Sequence, residues 1–218
     1  MAAYLAIDTA SPEIGVALLN DGDVEVWTAR VGRGAESALG TAIAAMLEKI
    51  ERIDGVVVGV GPGSFTALRV GVATALGLAV ASDCKVLEIC SLKARSLGHP
   101  GRTLAMLDGR KQRAYAALFV DGSQVGPAVD LDPVEVLSRF GEPPFQVVGE
   151  GALVWEKEIL AAGGSIVESP ARSPVGQMVR LFESMASEAV GPEAVRLRYL
   201  REPDAKPPKE AAEIGKSA

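Results

Sequence analysis

Two aspartates end short apolar runs at matching places: Asp8 after Tyr4-Leu5-Ala6-Ile7, and Asp108 after Leu104-Ala105-Met106-Leu107. Carboxylates at strand ends can hold Mg²⁺ beside phosphates, which is what phosphoryl transfer requires. They can equally close turns, where Asp is a common residue. Thr9 and Ser11 add hydroxyls next to the first of them. A second candidate is the turn Gly61-Pro62-Gly63-Ser64, placed after the apolar run Val56–Val60. Gly accepts positive φ and Pro fixes its own, so the chain bends tightly there. Amides near Gly61, Gly63 and Ser64 at the start of a helix could receive an anion. The turn holds no Lys or Arg, so phosphate charge would rest on amides and a metal.

Three enzymatic readings of that turn fail on its letters. A dinucleotide fingerprint needs a third glycine where Ser64 or Thr66 stands. A P-loop needs Gly-Lys-Ser/Thr. A nucleophile elbow needs glycines two residues either side of Ser64, where Pro62 and Thr66 stand. His99 is the one histidine of the chain, in the turn-like setting Gly98-His99-Pro100-Gly101, and a zinc site needs three or four ligands. A Ser-His-Asp or Cys-His mechanism would have to use this one residue. Cys84 and Cys90 flank the apolar run Val86-Leu87-Glu88-Ile89 and read as buried thiols. These residues predict no metal and no catalytic residue.

The elements that must position these groups follow from periodicity. Tyr4–Asp8 reads as a strand. Gly15–Leu19 and Val24–Arg30 form a hairpin about Asn20-Asp21-Gly22. Glu36–Ile50 reads as a helix, with Leu39, Ile43, Met46, Leu47 and Ile50 at helical spacing. Val56–Val60 is a buried strand. A helix capped by Ser64 or Thr66 follows it. From Val70 to Ala81 that helix has no charged residue. It is too short to cross a bilayer, which takes about 20 apolar residues. It has no polar face to give to water, so both its faces want a cover. Lys85–Ile89 is a strand, and Ser91 caps a short helix ending near Gly98.

The pattern then restarts. Asp8 to Gly22 and Asp108 to Gly122 have the same spacing, and both Gly15–Leu19 and Ala114–Val120 run into Asp-Gly. We read a duplication. Later elements are a helix at Pro133–Phe140 capped by Asp132, a strand at Gln146–Val148, a helix at Ala152–Ala162, a short strand at Ser165–Glu168 and a helix at Val175–Ser187. The expected division is an N-terminal lobe over 1–100, a C-terminal lobe over 101–201 and a mobile tail over 202–218, whose composition cannot bury enough surface to order itself. The fold class is α/β, in two duplicated lobes.

Composition narrows the function. The chain has 218 residues, 48% of them hydrophobic, enough for two compact lobes. A net charge of −6 argues against reading nucleic acid alone. The N-terminus has neither a basic stretch nor a long apolar run, so no signal peptide or membrane span is expected and the cytoplasm is the expected location.

Taken together, Leu5-Ala6-Ile7-Asp8-Thr9-Ala10, then Gly61-Pro62-Gly63-Ser64-Phe65-Thr66-Ala67-Leu68-Arg69-Val70-Gly71, then Asp108-Gly109-Arg110 with Tyr115, then Tyr199-Leu200-Arg201, resemble the TsaB (YeaZ) family over about residues 3–201. Two departures are Ala67, where the family commonly has Gly, and Gly109, where it usually has Ala. The resemblance implies an actin-like fold of the sugar kinase and Hsp70 ATPase type. It implies a part in making threonylcarbamoyladenosine on tRNA, next to the anticodon, as the non-catalytic partner of a TsaD-type transferase. That paralogue carries a His-x-x-x-His metal motif, which a chain with one His cannot hold.

Two roles compete. The first is a binding and scaffolding subunit that requires no cofactor. It would meet the TsaD-type paralogue, an accessory ATPase of TsaE type and, in isolation, a second copy of itself, and would reach tRNA only through the complex. Its interface would use Leu39, Ile43, Val70, Gly71, Thr74, Gly77, Leu78 and Ala81. The second is an active ATP-dependent phosphotransferase. Any nucleotide site, weak and with ATP and Mg²⁺ at a partner interface, would use Asp8, Thr9, Ser11, Gly61, Gly63, Ser64 and Asp108. Replacing Asp8 or Asp108 by Ala should cost little under the first role and abolish activity under the second. A peptidase role lacks ligands.

Overall fold

Alternate residues of one strand face opposite sides of its sheet, and both sides of the first strand are apolar. β1 (Ala3–Asp8) therefore needs a cover on each face. The computed structural model describes residues 2–30 and 35–201; the expected tail at 202–218 lies outside them. The first half adds β2 (Glu13–Asn20), β3 (Asp23–Arg30), α1 (Ala35–Leu47), β4 (Gly55–Gly59), α2 (Phe65–Ser82), β5 (Lys85–Ile89) and α3 (Ser91–Ser96). The second adds β6 (Arg102–Asp108), β7 (Ala114–Val120), β8 (Ser123–Leu131), α4 (Pro133–Phe140), β9 (Gln146–Val148), α5 (Gly151–Val154), α6 (Glu156–Ala161) and β10 (Ser165–Ile166). Two short helices, α7 (Val175–Met178) and α8 (Leu181–Met185), come last, followed by two 3₁₀ turns.

The two sheets have one topology, β3-β2-β1-β4-β5 and β8-β7-β6-β9-β10. In each, a hairpin is antiparallel to the first strand and two further strands are parallel to it. Asp8 pairs with Gly15 and Asp108 with Ala114, so the two aspartates end equivalent strands. Both hairpin turns place Asp-Gly at positive φ, 53° and 87° for Asp21-Gly22 and 48° and 78° for Asp121-Gly122. That is the turn whose twist matches paired strands.

On the first sheet Leu5, Ile7, Val16, Leu18, Val56 and Val58 meet α1 and α2. The other face, with Ala6, Ala17, Val57 and Leu87, meets Val175, Met178, Val179 and Phe182 of α7 and α8. These arrive from the end of the chain. Reciprocally, Leu92 of α3 packs with Ala105, Leu107, Ala117 and Phe119 of the second sheet. A division near residue 100 thus separates the sheets but not the helices: α3 crosses forward, α7 and α8 cross back, and α3 touches α7.

Several local expectations change. Ala152–Ala162 is two helices parted at Trp155, whose buried indole joins the second core. Val175–Ser187 breaks between α7 and α8 and ends in a 3₁₀ turn. Cys90, not Ser91, stands at the N-cap of α3, and Ser91 Oγ instead accepts from the Gly61 amide at 3.1 Å. Asp132 does cap α4, accepting from the Val134 amide at 2.8 Å.

Candidate functional site

The first-lobe aspartate is not available to a ligand. β1 delivers Asp8 into the junction of the lobes, where it is fully buried. There α3 brings Arg95, equally buried, and its Nη2 donates to Asp8 Oδ2 at 2.9 Å. Ser173 Oγ donates to the same oxygen at 3.3 Å, and the Ala10 amide donates to Oδ1 at 3.3 Å. A carboxylate so fully engaged is a poor metal ligand. Burial alone would lower the pKa of Arg95, but the charges of Asp8, Glu150 and Glu13 outweigh it. This burial and pairing weigh against Asp8 and Asp108 holding a metal together, and Asp8→Ala would strand a buried cation and so cost stability under either role.

The neighbouring positions serve the same junction. Thr9 Oγ1 donates to the Ala67 carbonyl at 2.7 Å, tying β1 to the start of α2. Ser11 Oγ accepts from Arg95 Nη2 at 2.9 Å and donates to the Glu13 carbonyl at 3.2 Å. Gly61, at φ 109°, lies so close to the Arg198 carbonyl that a Cβ would stand 2.4 Å from it. Its amide is taken by Ser91, and the Ser64 amide by the Ala10 carbonyl at 3.0 Å. A Cβ on Gly63 would meet the same carbonyl at 2.4 Å. The turn is thus a packing joint, with the Gly61 and Ser64 amides satisfied internally.

In front of this joint a cleft of about 670 Å³ separates the lobes. Ser11, Gly63 and Ser64 line it from the first lobe and Asp108 from the second. Asp108 accepts from the Arg110 amide at 2.8 Å and pairs with the Arg110 guanidinium at 3.2 Å. Ser64 sits at the N-cap of α2 but makes no side-chain cap, and no acid stands in the first turn. Arg69 lies 3.8 Å over the Phe65 ring and its Nε donates to Tyr199 Oη at 3.3 Å. Arg201 closes the other side, with Nε and Nη2 on the Asp130 carboxylate at 2.8 and 3.1 Å. Burial would push the Asp130 carboxyl up, but Arg201 and Arg113 hold it below the usual carboxylate range.

Sequence reasoning missed Arg95 and Glu150. Glu150 lines the cleft, and its Oε2 is out of reach of solvent without a hydrogen bond. Burial pushes its carboxyl up to about 7, against the pull of Arg95. The duplication holds a clue to it: Gly149-Glu150-Gly151 stands at the end of β9 as Gly59-Val60-Gly61 stands at the end of β4.

The second candidate surface is the outer face of α2. Leu68, Gly71, Val72, Ala75 and Ala79 form its buried face. A Cβ on Gly71 would approach Thr9 Oγ1 to 2.3 Å. Gly71, with Leu39 and Ile43 of α1, therefore belongs to the lobe's own interior and is closed to a partner. Val70, Thr74 and Leu78 are half-buried, while Gly77 and Ala81 are exposed beside Val80, which is 69% exposed. Thr74 Oγ1 donates back to the Val70 carbonyl at 2.8 Å, so its hydroxyl hydrogen is engaged within the helix. At 18 residues α2 is longer than its uncharged stretch, and it is long and apolar enough by length and composition to cross a bilayer. Its inner face, however, packs on β4 and β1.

Comparisons with known proteins identify the family and the fold. Residues 32–145 match the family model described as TsaD, tRNA N6-adenosine threonylcarbamoyltransferase. An uncharacterized protein of Mycobacterium tuberculosis is 33% identical over 95% of each chain. One of Mycobacterium leprae is 34% identical over 95% of this chain, which spans 57% of that protein. The tRNA threonylcarbamoyladenosine biosynthesis protein TsaB of Escherichia coli is 32% identical over 53% of this chain, or 54% of its own length. Among solved structures, YeaZ of Pseudomonas aeruginosa superposes with a TM-score of 0.75 at 22% identity, over 92% of this chain and 100% of that one. A putative N-acetylglucosamine kinase of Porphyromonas gingivalis, at 0.50 and 12% identity over 84% of this chain and 99% of that one, shares the two-lobed actin-like fold. With a family model matching half its length and relatives that carry the TsaB name, the chain belongs to the TsaB (YeaZ) family of tRNA threonylcarbamoyladenosine biosynthesis proteins.

Proposed function

We propose that this chain supports threonylcarbamoyl transfer to tRNA by binding and activating a TsaD-type transferase, without performing the transfer. The observation that carries the reading is the outer face of α2, where Val70, Gly77, Leu78 and Val80 meet no charged side chain of their own helix from Val70 to Ser82. A small-residue helix face lets a second helix approach closely. A second copy of this chain can use the same face about a twofold axis, so homodimer and heterodimer compete. A subunit of this kind acts by shifting its partner's population toward the competent state. With a net charge of −6 it meets tRNA through the complex, in the cytoplasm, beside an accessory ATPase of TsaE type.

Reconstitution tests the role: the TsaD-type transferase, the enzyme that forms the carbamoyl-adenylate and the accessory ATPase, with and without this chain. Modification should fall to background without it and should fall equally with Gly77→Arg. Undiminished modification in its absence would refute the role.

The alternative, a phosphotransferase working in the cleft, draws on the cleft's size and the uncapped start of α2. The Arg95–Asp8 pair and the spent Gly61 and Ser64 amides weigh against it. Asp108→Ala discriminates, because Asp108 faces the cleft and its loss strands only an exposed arginine. The scaffold reading expects tRNA modification to persist in that variant.

A further inference from the structure

A second cavity, of about 580 Å³, opens elsewhere on the lobe junction, between β3, the segment that follows β10, and α7. Its charged groups are Arg95, Arg172 and Arg180, opposed by Glu168. His99 also lines it, and burial lowers its pKa. Three guanidiniums around one cavity are notable on a chain whose net charge is −6. Arg172 and Arg180 are exposed, and neither makes an ion pair with a described residue. Arg95 is different: it is 3% exposed and forms part of the wall. Only its Nη2 is engaged, with Asp8 and Ser11; Nε and Nη1 are buried and donate to nothing. Buried donors without acceptors are uncommon in folded proteins and want an explanation.

We propose that this second cavity binds a phosphate ester, held by Arg172 and Arg180 with the buried Arg95 in its wall. Guanidinium groups present forked donors that match phosphate oxygens two at a time. Ser169 and Gln177, which also line the cavity, supply neutral donors to the remaining oxygens. The volume falls within the ~300–1,000 Å³ of small-molecule sites. Asp8 offsets much of the Arg95 charge, so Arg95 contributes through its unengaged Nε and Nη1 donors rather than through its net field. The site does not overlap the outer face of α2, so it can be filled while a partner is docked there.

The test uses the full chain alone, so its outcome does not depend on tRNA modification. Pyrophosphate is titrated calorimetrically at about 50 mM salt, where phosphate contacts are strongest. Saturable binding is expected, weakened at least about tenfold by Arg172→Ala and by Arg180→Ala, since each removes a charge-assisted bond. Arg180→Glu should abolish it, and the remote Lys157→Ala should not change it. Both arginines are exposed, so the variants should melt as the parent does. Competition then identifies the source. Displacement of pyrophosphate by a tRNA transcript assigns the site to an RNA backbone phosphate; displacement by AMP but not by tRNA assigns it to a free nucleotide-sized ester. No saturable binding, or binding unchanged in the arginine variants, overturns the proposal.

Discussion

Removing the Asp8 carboxyl leaves the Arg95 guanidinium charged, buried and short of its main acceptor. Breaking a buried pair from one side costs about 3–5 kcal/mol. Asp8→Ala should therefore lower the unfolding free energy by that amount in urea titrations, and a loss below about 1 kcal/mol would show that the pair is not buried in solution. Asp8→Leu combined with Arg95→Met should recover most of the loss, because an apolar pair of similar size needs no countercharge. Glu150 gives the opposite sign. Its carboxyl titrates at about 7 in the folded chain against 4.5 for an unperturbed glutamate. Between those values the folded state keeps a proton that the unfolded state has lost. Stability thus falls as pH rises from about 4.5 to about 7 and then levels off. Glu150→Gln should remove this fall, matching the parent near pH 4.5 and exceeding it at pH 8 by roughly 3 kcal/mol, read from melting curves at the two pH values. Strand-end Asp8 was legible in the sequence, but its partner was not. Arg95 lies 87 positions away in a six-residue helix, where nothing local marks a side chain that turns inward.

At the scale of the element, two glycines of α2 separate packing from exposure. A Cβ on Gly77 meets nothing within 4 Å, so Gly77→Ala should stabilise the helix by roughly 0.5–1 kcal/mol through backbone entropy. A Cβ on Gly71 would meet Thr9 Oγ1 at 2.3 Å, so Gly71→Ala should cost about 1–3 kcal/mol by overpacking. Thermal unfolding of the two variants checks the opposite signs. Sequence pattern could not have told these glycines apart. A helix of uniformly apolar and small residues has no polar stripe from which to read its orientation, so Leu39, Ile43 and Gly71 looked as available to a partner as Gly77. The strands and the Asp-Gly hairpins were legible because alternation and turn chemistry are local. The breaks at Trp155 and after Met178 were not, since each is set by what the helix lands on.

At the scale of the molecule, the duplication was readable from two equal spacings, whereas the crossing of α3, α7 and α8 was not. A pattern shows that a helix has an apolar face, not which sheet will receive it. Each sheet depends on helices encoded in the other half. A fragment of residues 1–100 leaves Ala6, Ala17, Val57 and Leu87 bare and should remain molten, with dye binding and no cooperative melt. Adding residues 170–201 in trans should restore the transition. The intact chain should behave otherwise when its outer surface is altered: Gly77→Arg should convert the homodimer proposed for this face to monomer in sedimentation while leaving the melting temperature nearly unchanged, and Val70→Arg, packed in part on the lobe's own core, should do so with some loss of melting temperature. A dimer that survives both substitutions places the contact elsewhere.

The Arg95–Asp8 pair joins α3, seated on the second sheet, to β1 of the first, and Arg201 ties the returning chain to Asp130 on β8. One bond lies behind the cleft and the other at its mouth. Hinging between the lobes would shear a desolvated ion pair and release an arginine clasp in the same stroke. On the scaffold reading proposed above, the chain would act as a stiff strut rather than a jaw, holding the angle between its surfaces constant while the partner moves.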